Sequence, residues 1–419
     1  MDASLLLRRC QLIDKDQLVD IAIADGRIQA IAPDLPITAP TELSIDGQLV
    51  SAPFVESHIH LDSVLTAGQP RWNRSGTLFE GIEIWRDRKA DLTLEDVNSR
   101  AIQALKQQAR HGVLFVRSHA DVSESNLIAL KGLLEVREAV KDWMTLQVVA
   151  FPQDGLYGGE PDAAVSNEGL MEEALRLGAD VVGGIPHYEL TREDGVRSVH
   201  RIFELAQQYD RLVDIHCDEI DDPQSRFLEV VAAGAIRSGL RGGVTASHTT
   251  AFGSYNDAYA LKLIGNLRRA QLNFIANPLI NITLQGRTDT YPKRRGVTRV
   301  KELWQNGLNV SLGHDCIQDP WYSLGTGNLL AVADMAVHVC QMTGLAEIDA
   351  CFDMVTSHGG RTLGVEADYG IAEGKAANLV VLDAQSRYEA ILNRATVRYV
   401  ISRGRLLVET APPIVTWHG

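Results

Sequence analysis

The sequence predicts an α/β protein: a (β/α)8 TIM barrel carrying a small β-sandwich domain formed from both chain termini. Three observations predict it. Short apolar runs alternate with amphipathic helical stretches through the middle of the 419-residue chain, eight such runs can be counted, and the two ends share a different, hairpin-rich style. Strand runs separated by helical patterns imply βαβ units and a parallel sheet, and eight of them suggest a closed barrel. An open doubly wound sheet is the rival, but no glycine-rich phosphate loop follows the first run.

At the N-terminus, Leu5–Ile13, Val19–Ile23 and Ile28–Ile31 read as strands, with Asp25-Gly26 as a strong hairpin turn. The barrel strands are expected at Ser51–His58, Val113–His119, Leu146–Phe151, Val181–Ile185, Leu212–Cys217, Val244–His248, Asn273–Ala276 and Val310–His314. Helical periodicity fills the intervals, as in Leu94–His111, Leu170–Leu177, Val199–Tyr209 and Ala258–Ala270. The longest connection holds Thr66–Lys89, whose glycines and aromatics suit a partly ordered cover over a site. Ala377–Asp383, Val397–Ser402 and Leu406–Val408 return to the hairpin style, with a turn at Arg403-Gly404. The expected division is 1–50 with 370–419 as the β-sandwich domain, and 51–369 as the barrel.

The 45% hydrophobic content suffices for a large core, and the formal charge of −14 argues against a nucleic-acid polymer as partner. A small neutral molecule is indifferent to that field. Five cysteines without a C-x-x-C pair read as reduced thiols of a cytoplasmic protein. No run of 18 apolar residues exists, so no membrane span is expected, and the N-terminal apolar run is too short for a signal sequence. A soluble, cytoplasmic homo-oligomer is the expectation.

Twelve histidines are present, and their placement is the main chemical signal. His58 with His60, His119, His216 and His248 sit at predicted strand ends, and His314 precedes Asp315 at the end of the eighth. Alternation along a strand points the His58 and His60 imidazoles the same way, so both can share one ion. Neutral imidazoles with a carboxylate suit divalent zinc or iron, and His216 and Asp315 complete a four-residue set with room for water. His119 reads equally as a support for a ligand or as a core residue.

The segments Phe54–Asp62 (FVESHIHLD), Ile215–Glu219 (IHCDE), Ala246–Thr250 (ASHTT) and Gly313–Asp315 (GHD) resemble the amidohydrolase superfamily, specifically the bacterial cytosine deaminase family. The resemblance continues through TAGQP, SGTLFEGIE, VAFPQDG, LGADVVGGIPH, NPLINITLQGR, DTYPKRRG and DPWY, covering nearly the whole chain. It implies one divalent metal ion, zinc or iron, on His58, His60, His216 and Asp315. It implies Glu219 as the proton-shuttling acid, His248 as a base behind the metal, and Gln153 as the amide that reads the pyrimidine edge. The expected substrate is a free nucleobase, with cytosine hydrolysed to uracil and ammonia. Superfamily members with two metals usually bridge them with a carboxylated Lys at the end of the fourth strand. Here that segment reads DVVGGIPH, without Lys, which favours a single metal and argues against cyclic-amide hydrolysis. Isoguanine or another nucleobase is the alternative substrate.

In that chemistry a metal lowers the pKa of water from about 15.7 toward ~7, giving a hydroxide nucleophile at neutral pH. Asp315 relays its proton, and His248 takes that proton or holds the hydroxide. Glu219 protonates N3 and then the departing ammonia. Gln153 offers a donor and an acceptor together, matching the adjacent N1–H and O2 of a pyrimidine. Trp321 packs against the base face or is a structural aromatic, and Leu78 is expected to touch the base. One departure carries information. Cytosine deaminases usually have a second Asp directly after the metal-ligating Asp, and this chain has Cys316. A thiol behaves as a soft apolar group, so it removes a charge where 5-methylcytosine carries its methyl.

Overall fold

The computed structural model of the protein describes residues 3–158, 165–412 and 414–418. Eight parallel strands follow one another around a single sheet: β1 (Phe54–Ile59), β2 (Val113–Asp121), β3 (Thr145–Phe151), β4 (Val181–Gly184), β5 (Leu212–Cys217), β6 (Val244–His248), β7 (Asn273–Ala276) and β8 (Asn309–Leu312). Most of their residues are buried on both faces, which is why they read as apolar runs. Amphipathic helices at Leu94–Arg110, Asn167–Leu177, Arg192–Tyr209 and Asp257–Ala270 cover the outside; three match the expected spans to within a few residues, while Arg192–Tyr209 begins well before the expected Val199. The barrel closes through a parallel bridge between Ile59 and Asp315. There Asp315 N–H donates to His58 O at 2.9 Å and His60 N–H to Asp315 O at 3.2 Å. The seam is stitched by the residues that the sequence marks for chemistry.

Both ends of the chain contribute to two four-stranded sheets. One orders Arg27–Ala32, Val19–Ala24, Leu5–Cys10 and Thr41–Ser44; the other orders Arg405–Glu409, Val397–Ser402, Leu379–Leu382 and Leu49–Ser51. Leu7, Ile21, Val50, Leu379 and Ile401 meet in one buried cluster between them. The expected first barrel strand began at Ser51, but Ser51 pairs antiparallel with Val380 in the terminal sheet. Pro53 separates the two strands, since it lacks the N–H needed to continue a ladder.

The connection over the mouth is more ordered than its composition suggested. It contains a helix, Leu78–Lys89, started by Thr77, whose side chain accepts from Glu80 N–H. Trp85 Nε1 and Lys89 Nζ both donate to Asp121 Oδ2, and Lys89 also reaches Asp154. A Cβ at Gly81 would stand 2.2 Å from the Trp321 ring, so only glycine lets this helix close over Trp321. Among the described residues no helix is long and apolar enough to cross a membrane.

Candidate active site

Alternation along the parallel strands turns a set of polar residues inward at the C-terminal end of the barrel. His58 Nε2 and His60 Nε2 each lie 3.6 Å from Asp315 Oδ1. His60 Nε2 is 3.1 Å from His216 Nε2, and His248 Nε2 is 3.3 Å from His58 Nε2. Donors at ~2.1 Å from a tetrahedral ion stand about 3.4 Å apart, a spacing that His58, His60 and Asp315 match, while His216 falls within ligand reach of His58 and of His60. Burial first, and the neighbouring rings next, hold the His58, His60 and His216 imidazoles far below their ordinary pKa. They are therefore neutral and able to ligate. Burial, then the carboxylates of Glu219, Asp319 and Glu56, push Asp315 strongly upward. Its ion-pair partners among the described residues are only His58, His60 and His248, so a cation is the missing counter-charge.

His248 and Asp315 both adopt left-handed backbone, with φ of 66° and 70°. Such geometry costs a non-glycine residue on the order of 1–3 kcal/mol and clusters where function demands it. Beneath the ligands runs a buried chain of polar contacts. Arg117 Nη1 donates to Asp214 Oδ2 at 3.0 Å, Ser247 Oγ donates to Asp214 Oδ1 at 2.5 Å, and His58 Nδ1 meets Ser247 Oγ at 3.2 Å. Ser247 spends its hydroxyl proton on Asp214, so its oxygen accepts from His58 Nδ1–H. The His58 Nε2 lone pair is thereby aimed at the centre.

One small pocket opens onto this cluster. His60, His216, His248 and Asp315 line it together with Glu219, Gln153, Leu78, Cys316 and Trp321. His58 lies behind, fully buried. Glu219 Oε1 stands 3.1 Å from His248 Nδ1, and burial raises its pKa, favouring the protonated acid. The Gln153 side-chain amide makes no hydrogen bond to another described residue, which leaves its donor and acceptor for a ligand. His119 packs its ring 4.2 Å from that of His58, and its Nε2 lies 3.8 Å from Asp214 Oδ1, beyond hydrogen-bond distance. It falls within donor reach of His58 and His216. His314 turns away: its backbone N–H donates to Glu56 and its Nε2 accepts from Thr326 N–H.

Sequence reasoning did not single out Ile185, Ile280 and Leu284 in the lining, or the supports Ser247, Asp214 and Arg117. Asp214 stands two residues before His216 on one strand, and that alternation was the available signal; Ser247 directly precedes His248 and carried none. β4 ends in Gly183-Gly184, where a Cβ at Gly184 would lie 2.2 Å from Ile202, and Ile185 follows as a pocket-lining residue. No lysine can bridge two metals from there.

Residues 43–408 match the model of the Amidohydrolase family. The chain belongs to that family. Among relatives of this amidohydrolase, N-isopropylammelide isopropyl amidohydrolase of Pseudomonas sp. (strain ADP) is 31% identical over 414 residues, 97% of this chain and 98% of its own. Pterin deaminase of Rhizobium rhizogenes (strain K84) is 30% identical over 405 residues, 94% of this chain and 88% of its own. Among solved structures, 5-methylcytosine deaminase from Klebsiella pneumoniae, liganded with phosphonocytosine, is 47% identical with a TM-score of 0.94. That match covers 98% of this chain and 100% of the other. The expected barrel-plus-sandwich fold and the kinship with cytosine-type deaminases are borne out.

Proposed function

We propose that this amidohydrolase is a metal-dependent deaminase of free cytosine-type bases. It hydrolyses cytosine to uracil and, in preference, 5-methylcytosine to thymine, releasing ammonia. The observation that carries this is the convergence of Glu219, Gln153, Cys316 and the histidine–Asp315 basket on one small pocket.

His58, His60, His216 and Asp315 would hold one divalent ion per chain, zinc or iron. The ion, when bound, supplies an acidified water as nucleophile at neutral pH. Gln153 donates to O2 and accepts from N1–H, fixing the ring in its plane. Leu78 and Trp321 pack on the ring, and Cys316 faces the C5 edge. Oxygen adds to C4 as Glu219 gives its proton to N3. Glu219 then carries one water proton to the exocyclic nitrogen, the C4–N bond breaks with ammonia leaving on the bonding pair, and the remaining proton of the C4 oxygen returns to Glu219 as the carbonyl forms. His248 and Asp315 hold the nucleophile in line. The net charge of −14 disfavours a nucleic-acid polymer as partner, consistent with a free base as substrate.

Ammonia release on a panel of cytosine, 5-methylcytosine, isoguanine, pterin and N-isopropylammelide tests this reading. The cytosines should be turned over with the highest kcat/KM; a better isoguanine or pterin would move the assignment to fused-ring bases. Elemental analysis of protein purified without added metal should find one equivalent of zinc or iron. Two equivalents per chain would sink the mononuclear centre. Ser247→Ala frees the His58 Nδ1–H from its partner, and should weaken metal binding by about 10–100-fold in competition with a chelator. Unchanged affinity would remove Ser247 from the support of His58.

A further inference from the structure

We infer that Asn281 is a positioning residue that fixes the proton of His248 on Nε2, so that the ring faces the reacting centre as a hydrogen-bond donor. The inference rests on the assignment of His248 to that centre. Asn281 lies on the short helix Pro278–Leu284 after β7, and is fully buried behind the pocket. The backbone N–H of Asn277 can only donate, and it meets Asn281 Oδ1 at 3.2 Å. That oxygen is therefore the acceptor, and the Asn281 Nδ2 amide is the end 3.0 Å from His248 Nδ1. Facing an amide that carries only hydrogens, Nδ1 must offer its lone pair. A neutral imidazole then keeps its one proton on Nε2.

The far end of the network is compatible with the same direction. Ser247 gives its proton to Asp214, takes one from His58 Nδ1, and leaves a lone pair on His58 Nε2. His248 Nε2–H points at that lone pair across 3.3 Å. Reversing the proton on His248 would set two donors face to face at Asn281. Two other groups touch the ring. Asn277 Nδ2 lies 3.4 Å from both of its nitrogens and favours neither, and the Glu219 carboxyl stands 3.1 Å from Nδ1. Once the His58 lone pair is engaged elsewhere, His248 Nε2–H has Asp315 Oδ2, 3.8 Å away, and the nucleophile to donate to. The ring then orients the nucleophile and does not take its proton.

Zinc-loaded protein labelled with 15N-histidine tests this directly, because long-range 1H–15N spectra separate a protonated ring nitrogen from a bare one. Comparison with His248→Gln identifies the His248 signals. The parent protein should show protonated Nε2 and bare Nδ1, and Asn281→Asp, which replaces the donor by an acceptor, should move the proton to Nδ1. Asn281→Asp and Asn281→Leu should each lower kcat by about 10–100-fold with KM changed far less and metal content retained. A parent spectrum with the proton on Nδ1 would overturn the inference, as would an Asn281→Asp ring unchanged from the parent. The parent spectrum decides even where a variant fails to fold. It also reads the ring whatever the substrate, so failure to deaminate cytosines would overturn the functional reading alone.

Discussion

Glu219→Gln is expected to lower kcat by about 10²–10⁴-fold, the usual contribution of a positioned acid–base group. In barrier terms that is about 3–5 kcal/mol. The side chain lies in the pocket wall, three residues after His216, and burial favours its protonated form. A group that must donate to N3 and then serve the leaving nitrogen needs a proton it can both give and recover, and an amide cannot do this. Glutamine keeps the size and a donor toward His248 Nδ1, so packing and KM should change little. Glu219 also falls within ligand distance of His216 and His248, which makes a ligand role the alternative to exclude. Metal content separates the two: the variant should keep its ion while losing turnover. Near-normal turnover would show that proton transfer runs through another group, and a metal-free variant would make Glu219 a ligand.

The strands were legible because parallel barrel strands are buried on both faces and stand out as apolar runs between helical periodicities. The chemistry at their tips was legible because histidine and carboxylate are unusual there, and His58-Ile59-His60 can only face one way on a strand. The supports were harder to read. Asn281 and Asn277 look like helix-start residues after a strand, and only the three-dimensional meeting with His248 gives them a direction. Ile280 and Leu284 read as core in sequence, since an apolar pocket wall and a core contact share one pattern. Glu56 shows the same limit. Inside an apolar strand it looks misplaced, yet its Oε1 accepts the N–H groups of His58 and His314 across the barrel seam. Burial pushes its carboxyl up to about 8. Closure by Asp315 and His58 backbone, rather than by a long ladder, left no periodic trace at all.

Cys316→Asp is expected to reverse the preference between 5-methylcytosine and cytosine. The thiol sits in an apolar cluster with Ile280 and Leu284, against which Leu78, Trp321 and Tyr322 pack. Burial first, and the charges of Asp315 and Asp319 next, push its pKa far up, so it stays an uncharged S–H. A methyl group entering that cluster gains roughly 0.8 kcal/mol of burial. A carboxyl in the same place loses hydration against Ile280 and Leu284, and loses more when a methyl displaces its remaining water. A C5 hydrogen leaves room for that water. The expected swing is about 1–3 kcal/mol, or roughly ten- to two-hundred-fold in the ratio of the two kcat/KM values. The ratio is the quantity to measure, in both proteins at one pH and matched metal content, because a carboxyl beside Asp315 also perturbs the centre common to both substrates. An unchanged ratio would mean that Cys316 does not read C5. A parent preference for unsubstituted cytosine would return the enzyme to ordinary cytosine deamination, with the thiol a neutral replacement.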